Sequence, residues 1–115
     1  MTSLADKAFA KLQKLNIHAT TLDKNTLSNV TEWVDTGCLV LNSILSGSLY
    51  GGVPKGRITI FAGEAQCGKT FILNKVLAKA QKQGMIPVIF DTEVAIEKEG
   101  AENVGLDVSN VKYVP

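Results

Sequence analysis

Apolar residues recur at three- and four-residue steps near the start of the chain. Ser3 precedes this stripe and Asp6 follows three residues later, which is the spacing of a capping pair at a helix N-terminus. The pattern predicts an amphipathic helix over residues 3–17. Its stripe consists of Leu4, Ala5, Ala8, Phe9, Leu12 and Leu15, and Lys7, Lys11 and Lys14 fall mainly outside it. Such a helix packs either on its own domain or on a neighbouring subunit, and both interpretations fit the pattern equally well.

Polar residues and turn formers dominate the next part of the chain. Residues 18–32 are polar and predict a linker or extended arm. An apolar region begins at Trp33, a turn is expected over 35–37, and a short helix should end at Gly47. Glycine and proline crowd residues 51–56, which predicts a loop.

Three short apolar runs alternate with helical patterns in the second half of the chain. The β-branched and aromatic run over 57–62 predicts a buried strand, and further strands are expected at 87–91 and 111–114. A helical pattern follows the first run and ends near Gly84, and a short helix is expected within 96–104. This alternation predicts an α/β fold with a mostly parallel sheet. Three parallel strands with few helices cannot easily cover both faces of their sheet, and an α/β sheet normally continues with further strands. We therefore expect a truncated protein.

Composition limits the partners of these residues. Twelve basic and eleven acidic residues among 115 give a net charge of +1, so no basic field draws this chain onto nucleic acid. No apolar run approaches the roughly 18 residues that span a bilayer, and the N-terminus has no signal core. We therefore expect no membrane partner and a cytoplasmic location, where Cys38 and Cys67 are free thiols.

A glycine-rich stretch carries the strongest chemical signal. It fits the pattern G-x-x-x-x-G-K-[ST] and consists of Gly63, Glu64, Ala65, Gln66, Cys67, Gly68, Lys69 and Thr70. Glycines let backbone N–H groups turn towards phosphate oxygens, and the following helix presents its positive end. Lys69 adds a cation, and Thr70 offers a hydroxyl to a Mg²⁺ ion shared with the nucleotide. The stretch predicts a nucleoside triphosphate site; the alternative is an ordinary glycine-rich turn.

Two carboxylates follow the strand expected at 87–91. Asp91 and Glu93 lie at the carboxyl edge of the predicted sheet, where ligands bind in open α/β folds. Hydrolysis of a triphosphate needs a group that orients and deprotonates water, and either residue could serve. Asp91 could instead position magnesium, and a third interpretation makes both residues a solvated strand end.

Several motifs occur in the order found in one protein family. The segments 33–42, 51–57, 63–70 and 90–93 together resemble the opening of the RecA-like strand-exchange proteins, and Gly105-Leu106-Asp107 matches a further short signature. The sequence of residues 45–52 looks most like that of the UvsX-type recombinases of T4-like bacteriophages. The resemblance covers residues 33–115, whereas the first 32 residues match only in kind.

The resemblance implies a fold, a cofactor and partners. It implies a P-loop NTPase core of RecA type that begins at residues 33–115, and a helix and arm over 1–32 that contact the next protomer. It implies ATP with Mg²⁺, and it assigns the activation of water to Glu93 beside Lys69. It further implies filaments of protomers on single-stranded DNA that pair it with duplex DNA, through regions missing from this chain, in a bacterial or phage-infected cytoplasm.

Other functions share parts of this pattern. A RecA-fold helicase or clock-type ATPase would use the same core, and a generic P-loop kinase fits least because nothing resembles a lid. A third candidate is a non-enzymatic module that caps filaments of an intact relative through its N-terminal helix. For the 115 residues alone we expect weak ATP binding, negligible hydrolysis and no strand exchange.

Overall fold

The computed structural model describes residues 2–115 as four α-helices and two small sheets. Two short 3-10 turns, Leu22–Lys24 and Val108–Asn110, lie between these elements. In chain order the helices and strands are α1 (Leu4–Leu15), β1 (Trp33–Val34), α2 (Leu39–Ser46), β2 (Val53–Pro54), α3 (Lys69–Lys82), β3 (Val88–Phe90), α4 (Lys98–Asn103) and β4 (Lys112–Val114).

Helix α1 forms where its periodicity predicts it. The Ser3 hydroxyl accepts a hydrogen bond from the Asp6 N–H at 3.1 Å, and the Asp6 carboxylate accepts one from the Ser3 N–H at 2.9 Å. This reciprocal pair satisfies N–H groups that the first helical turn leaves free. The capping prediction is therefore confirmed.

The same helix stands away from the rest of the protein. It contains no buried residue, and Leu4 and Leu15 are 86% and 85% exposed. The radius of gyration is 19.8 Å and the longest dimension is 67 Å, whereas a compact chain of about 100 residues has a radius near 13 Å. Helix α1 and the arm that follows therefore project from the folded part, and the arm is irregular apart from its 3-10 turn.

The arm joins the folded part at a two-stranded antiparallel sheet. Strand β1 pairs with β2, so that Trp33 faces Pro54 and Val34 faces Val53. Glu32 and Lys55 extend the contact with an ion pair and a backbone hydrogen bond of 3.0 Å. The loop predicted at 51–56 is thus partly strand, because residues 33–34 supply hydrogen-bonding partners that local sequence does not reveal.

A buried amide holds the turn between β1 and α2. Asn42 is 1% exposed, and its side-chain oxygen accepts hydrogen bonds from the N–H of Thr36 at 3.0 Å and from its hydroxyl at 2.7 Å. The Asn42 side-chain nitrogen donates to the Asp35 carboxylate at 2.8 Å and to the Leu49 carbonyl at 3.0 Å. One side chain therefore ties the start of α2 to the turn before it and the loop after it.

Helix α3 packs on both sides. One side buries Val76 and Ala80 with Val34, and Val53, Ile72 and Met85 pack around them. The other side buries Ala78 with Ala101 and Leu106, next to Leu77, Val104, Val108 and Val111. The apolar face predicted for this helix is confirmed at Val76 and Ala80, and Ala78 adds a second buried face.

The second sheet is parallel and joins two predicted strands. Strand β3 pairs with β4 in the register Val88–Lys112, Ile89–Tyr113 and Phe90–Val114. Helix α4 lies between them in sequence and contacts α3. The strands predicted at 87–91 and 111–114 and the helix predicted within 96–104 are confirmed. Only one face of this sheet is covered, since Ile89 is buried while Val88 and Phe90 are exposed.

The prediction of a buried strand over 57–62 is wrong, because no such strand forms within residues 2–115. This segment has no regular structure, and Ile58 and Ile60 are 94% and 80% exposed. A strand requires a neighbour for its N–H and C=O groups, and within the described residues β3 pairs only with β4. The predicted sheet of three strands is therefore replaced by two separate pairs, one of them antiparallel.

Replacing Asn42 by leucine should destabilise the protein. The change leaves the buried Thr36 N–H without its partner, and we expect the free energy of unfolding to fall by about 2 kcal/mol. Urea unfolding followed by Trp33 fluorescence measures it. Ser43→Ala, at the exposed neighbouring position of α2, is the matched control and should change stability by less than about 0.5 kcal/mol. Equal unfolding midpoints for the two variants would contradict the role of Asn42.

The Asp35 carboxylate should make stability depend on acidity. Hydrogen bonds from Asn42, Lys79 and the Gly37 N–H lower the pKa of Asp35 from 3.8 to about 2. A lowered folded-state pKa means that the stabilisation is complete above pH 3.8 and is lost as the pH falls towards 2. Asp35→Asn should therefore be less stable than wild type at pH 6 and nearly equal to it at pH 2. Urea titrations at both pH values test this, with the exposed Asp23→Asn as control; a gap that persists at pH 2 would refute it.

Candidate functional site

The glycine-rich stretch forms one continuous loop that opens helix α3. Residues 63–68 carry no regular structure, and α3 begins at Lys69. Gln66 and Gly68 have positive φ angles of 61° and 92°, and a left-handed residue of this kind reverses the direction of the backbone. The Gly68 carbonyl then accepts the first helical hydrogen bond, from the Ile72 N–H at 3.1 Å. The loop thus leads directly into the N-terminus of a 14-residue helix.

The Lys69 side chain folds back over the start of this loop. Its ammonium nitrogen donates to the Gly63 carbonyl at 2.9 Å and to the Glu64 carbonyl at 2.6 Å. The Cys67 sulfur lies 3.9 Å from the same nitrogen. The ammonium group therefore links the end of the loop to its start and places a positive charge there.

The first turn of α3 forms the other side of the site. Gln66, Gly68, Lys69, Thr70 and Phe71 line an open cavity of about 240 Å³. The first N–H groups of a helix have no partner within it, and they carry the positive end of its dipole. Thr70 is exposed beside them. This arrangement offers a cation, free N–H groups and a hydroxyl, which together suit a phosphate group.

The Asp91 carboxylate is fully engaged in hydrogen bonds with its own turn and with β4. Asp91 is 8% exposed. Its carboxylate accepts hydrogen bonds from the Ile96 N–H at 2.9 Å, the Tyr113 hydroxyl at 3.0 Å and the Glu93 N–H at 3.3 Å. The backbone hydrogen bond from Ile96 is the main reason that the pKa of Asp91 lies below its usual value. The Asp91 carboxylate therefore stays charged, and its oxygens accept hydrogen bonds from within the protein.

Glu93 lies on the same turn and is exposed. No hydrogen bond or ion pair of residues 2–115 joins its side chain to the loop at 63–70. The structure therefore brings the predicted loop residues together as one unit and places the predicted water-activating residue on a separate turn after β3.

Two groups that matter for this part of the fold were missed from the sequence. Tyr113 reaches Asp91 from β4, 22 residues further along the chain. Asn42 sits in the otherwise apolar start of α2, and this isolated amide is a weak signal that could have found it. Within the described part of the chain, no cluster of three or more His, Cys, Asp or Glu residues could hold a metal ion, so the assignment of Mg²⁺ to Thr70 stays a prediction.

These features define an α/β protein in which a glycine-rich loop with a terminal lysine opens a helix. Residues 3–114 match the RecA N-terminal domain, and the chain belongs to the RecA family. It is 42% identical to Protein RecA of Aquifex aeolicus over 80 residues, which are 70% of this chain and 22% of that protein. Protein RecA of Nitratiruptor is 38% identical over 108 residues, which are 92% and 28% of the two chains.

A further relative, Protein RecA of Clostridium tetani, is 37% identical over 89 residues, or 77% of this chain and 24% of the relative. The chain thus spans about a quarter of the length of the curated relatives that it matches. None of the helices within residues 2–115 has both the length and the apolar character to cross a membrane.

Proposed function

We propose that this chain is the ATP-binding N-terminal part of a RecA-like recombinase, a DNA-dependent ATPase that exchanges strands in homologous recombination and repair. In this proposal residues 63–70 hold the phosphates of ATP, Thr70 binds Mg²⁺ and Glu93 activates the attacking water. Protomers would form filaments on single-stranded DNA and pair it with duplex DNA, and the contacts with DNA would be made by regions outside the chain. Residues 33–115 begin the core, and residues 1–32 contact the next protomer.

The observation that carries the proposal is the position of the Lys69 ammonium. It donates hydrogen bonds to the Gly63 and Glu64 carbonyls, close to the N-terminus of α3. Charged phosphate oxygens are stronger acceptors than neutral carbonyls, so a triphosphate would draw this ammonium away from them. The same anion would meet the free N–H groups at the start of α3.

The family supports the rest of the proposal. Membership of the RecA family favours a recombinase over a helicase-type ATPase, because the sequence motifs and the matched domain both belong to that family. The segment 45–52 supports the finer assignment to the UvsX type of T4-like bacteriophages. Asp91 is engaged by two N–H groups of its own turn and by the Tyr113 hydroxyl of β4, which favours Glu93 as the residue that acts on water.

The exposed helix α1 supports a contact between protomers. Its apolar stripe has no buried residue within its own chain, and Leu4 and Leu15 are almost fully exposed. A second candidate function uses the same observation: a non-enzymatic module that binds the end of a relative's filament and stops its growth. Both candidates need the stripe of α1, and only the first needs Lys69.

Lys69→Ala should weaken the binding of MgATP. Loss of a charged hydrogen-bond donor to phosphate costs about 1.5–3 kcal/mol, which is roughly 10- to 100-fold in Kd. Isothermal titration of the 115-residue chain with MgATP measures this. Lys82→Ala, in the last turn of the same helix, is the matched control and should bind as wild type does. Equal affinity of the Lys69 variant and wild type would overturn the proposed site.

Phe9→Asp should reduce self-association without altering nucleotide affinity. A carboxylate in the apolar stripe of α1 must lose water when the stripe is covered by another protomer. Ala10→Asp places the same charge outside the stripe and is the matched control. Sedimentation velocity over a range of concentrations should show weaker association for Phe9→Asp only. Identical profiles for both variants would contradict a contact through α1.

A further inference from the structure

The turn after β3 is built around one carboxylate. Asp91 accepts hydrogen bonds from the N–H groups of Glu93 and Ile96, at 3.3 Å and 2.9 Å, and its backbone carbonyl accepts one from the Val94 N–H at 3.4 Å. The three residues that donate are Glu93 itself and two residues that follow it, Val94 and Ile96. The position of Glu93 along this turn is therefore set by Asp91.

The turn also holds a strained residue. Val94 has a φ of 53°, a left-handed conformation that a β-branched side chain rarely adopts. Such a conformation persists only where surrounding contacts enforce it. The hydrogen bonds to Asp91 are those contacts, because they clamp the residues before and after Val94.

Strand β4 also holds the Asp91 carboxylate in position. Tyr113 pairs with Ile89 across the β3–β4 ladder, and its hydroxyl donates to Asp91 at 3.0 Å. The backbone supports the same alignment, since the Asp91 N–H donates to the Val114 carbonyl at 2.9 Å. Burial and the hydrogen bond to Asp91 raise the pKa of Tyr113, so the phenol keeps its proton at neutral pH and remains a donor.

We infer that Asp91 and Tyr113 form a positioning pair that holds the Glu93 turn in place for reaction with the nucleotide. Neither residue touches the substrate in this assignment; both act through the backbone of residues 91–96. The inference rests on the proposed function of Glu93. It adds that the strand β4, which is remote from the loop at 63–70 in sequence, governs hydrolysis rather than binding.

The test compares Tyr113→Phe, which removes only the hydroxyl, with Tyr50→Phe at the exposed second tyrosine. Asp91→Ala removes the acceptor altogether, and Asp91→Asn keeps an oxygen that can still accept. Amide hydrogen exchange by NMR should be about tenfold faster at Ile96 in Asp91→Ala, as expected for one lost hydrogen bond, and intermediate in Asp91→Asn. The Lys112 N–H, bonded to Pro87 within the ladder, should keep its rate and shows that the sheet is intact.

A second readout separates positioning from a purely structural role. The ¹³C signal of the Glu93 carboxylate is followed as MgATP is added to each variant. Wild type and Tyr50→Phe should show a shift, and Tyr113→Phe and Asp91→Ala should lose at least about half of it with Kd changed less than twofold. A full Glu93 response in Asp91→Ala, even with faster exchange at Ile96, would overturn the inference.

The two proposals fail in different ways. If MgATP moves no signal of the loop or of Glu93 in wild type, the proposed function is contradicted, and the pair is judged on exchange alone. Unchanged exchange at Glu93 and Ile96 in Asp91→Ala then overturns the pair as well. If MgATP binds but the variants respond as wild type does, the proposed function stands and the positioning pair is refuted.

Discussion

The close packing of α3 against two separate layers determines where the candidate site lies. Val76 and Ala80 bury one side of the helix against the β1 and β2 region, and Ala78 buries another side against Ala101 and Leu106. Alanines at these positions have short side chains, so the neighbouring elements can approach the helix closely. Because the glycine-rich loop ends at the first residue of α3, these contacts hold the helix end of the loop in place.

A polar network holds the first of these two layers in place. Asn42 fixes the turn after β1, and Asp35 in that turn forms an ion pair with Lys79 of α3 at 2.9 Å. Both groups of this pair are partly exposed, so the pair itself adds little stability. The buried amide matters more, because its removal would leave a backbone N–H without a partner in a water-free environment. The motif shared with the family over residues 33–42 is therefore, in this chain, a scaffold for the helix that carries the loop.

Helices were predictable from this sequence because their hydrogen bonds are local. Ser3 and Asp6 cap α1, Gly47 ends α2 in a left-handed conformation, and periodicity located α3 and α4. Strands depend on partners elsewhere in the chain. The runs at 88–90 and 112–114 pair with each other, whereas the apolar run at 57–62 pairs with no strand among the described residues. The loop at 63–70 was likewise predictable from contiguous residues. The inward fold of Lys69 and the bond between Asp91 and Tyr113 required the structure.

The same distinction between local and distant contacts divides the proposed chemistry into two parts. The groups that would bind phosphate lie within eight consecutive residues, so binding depends mainly on the local conformation of the loop and the start of α3. The group that would activate water lies on a turn whose Asp91 carboxylate accepts a hydrogen bond from Tyr113, 22 residues further along the chain. Nucleotide binding should therefore tolerate changes in β4 that hydrolysis does not. A separate support for the reactive carboxylate would allow the rate of hydrolysis to vary while the affinity for nucleotide is kept.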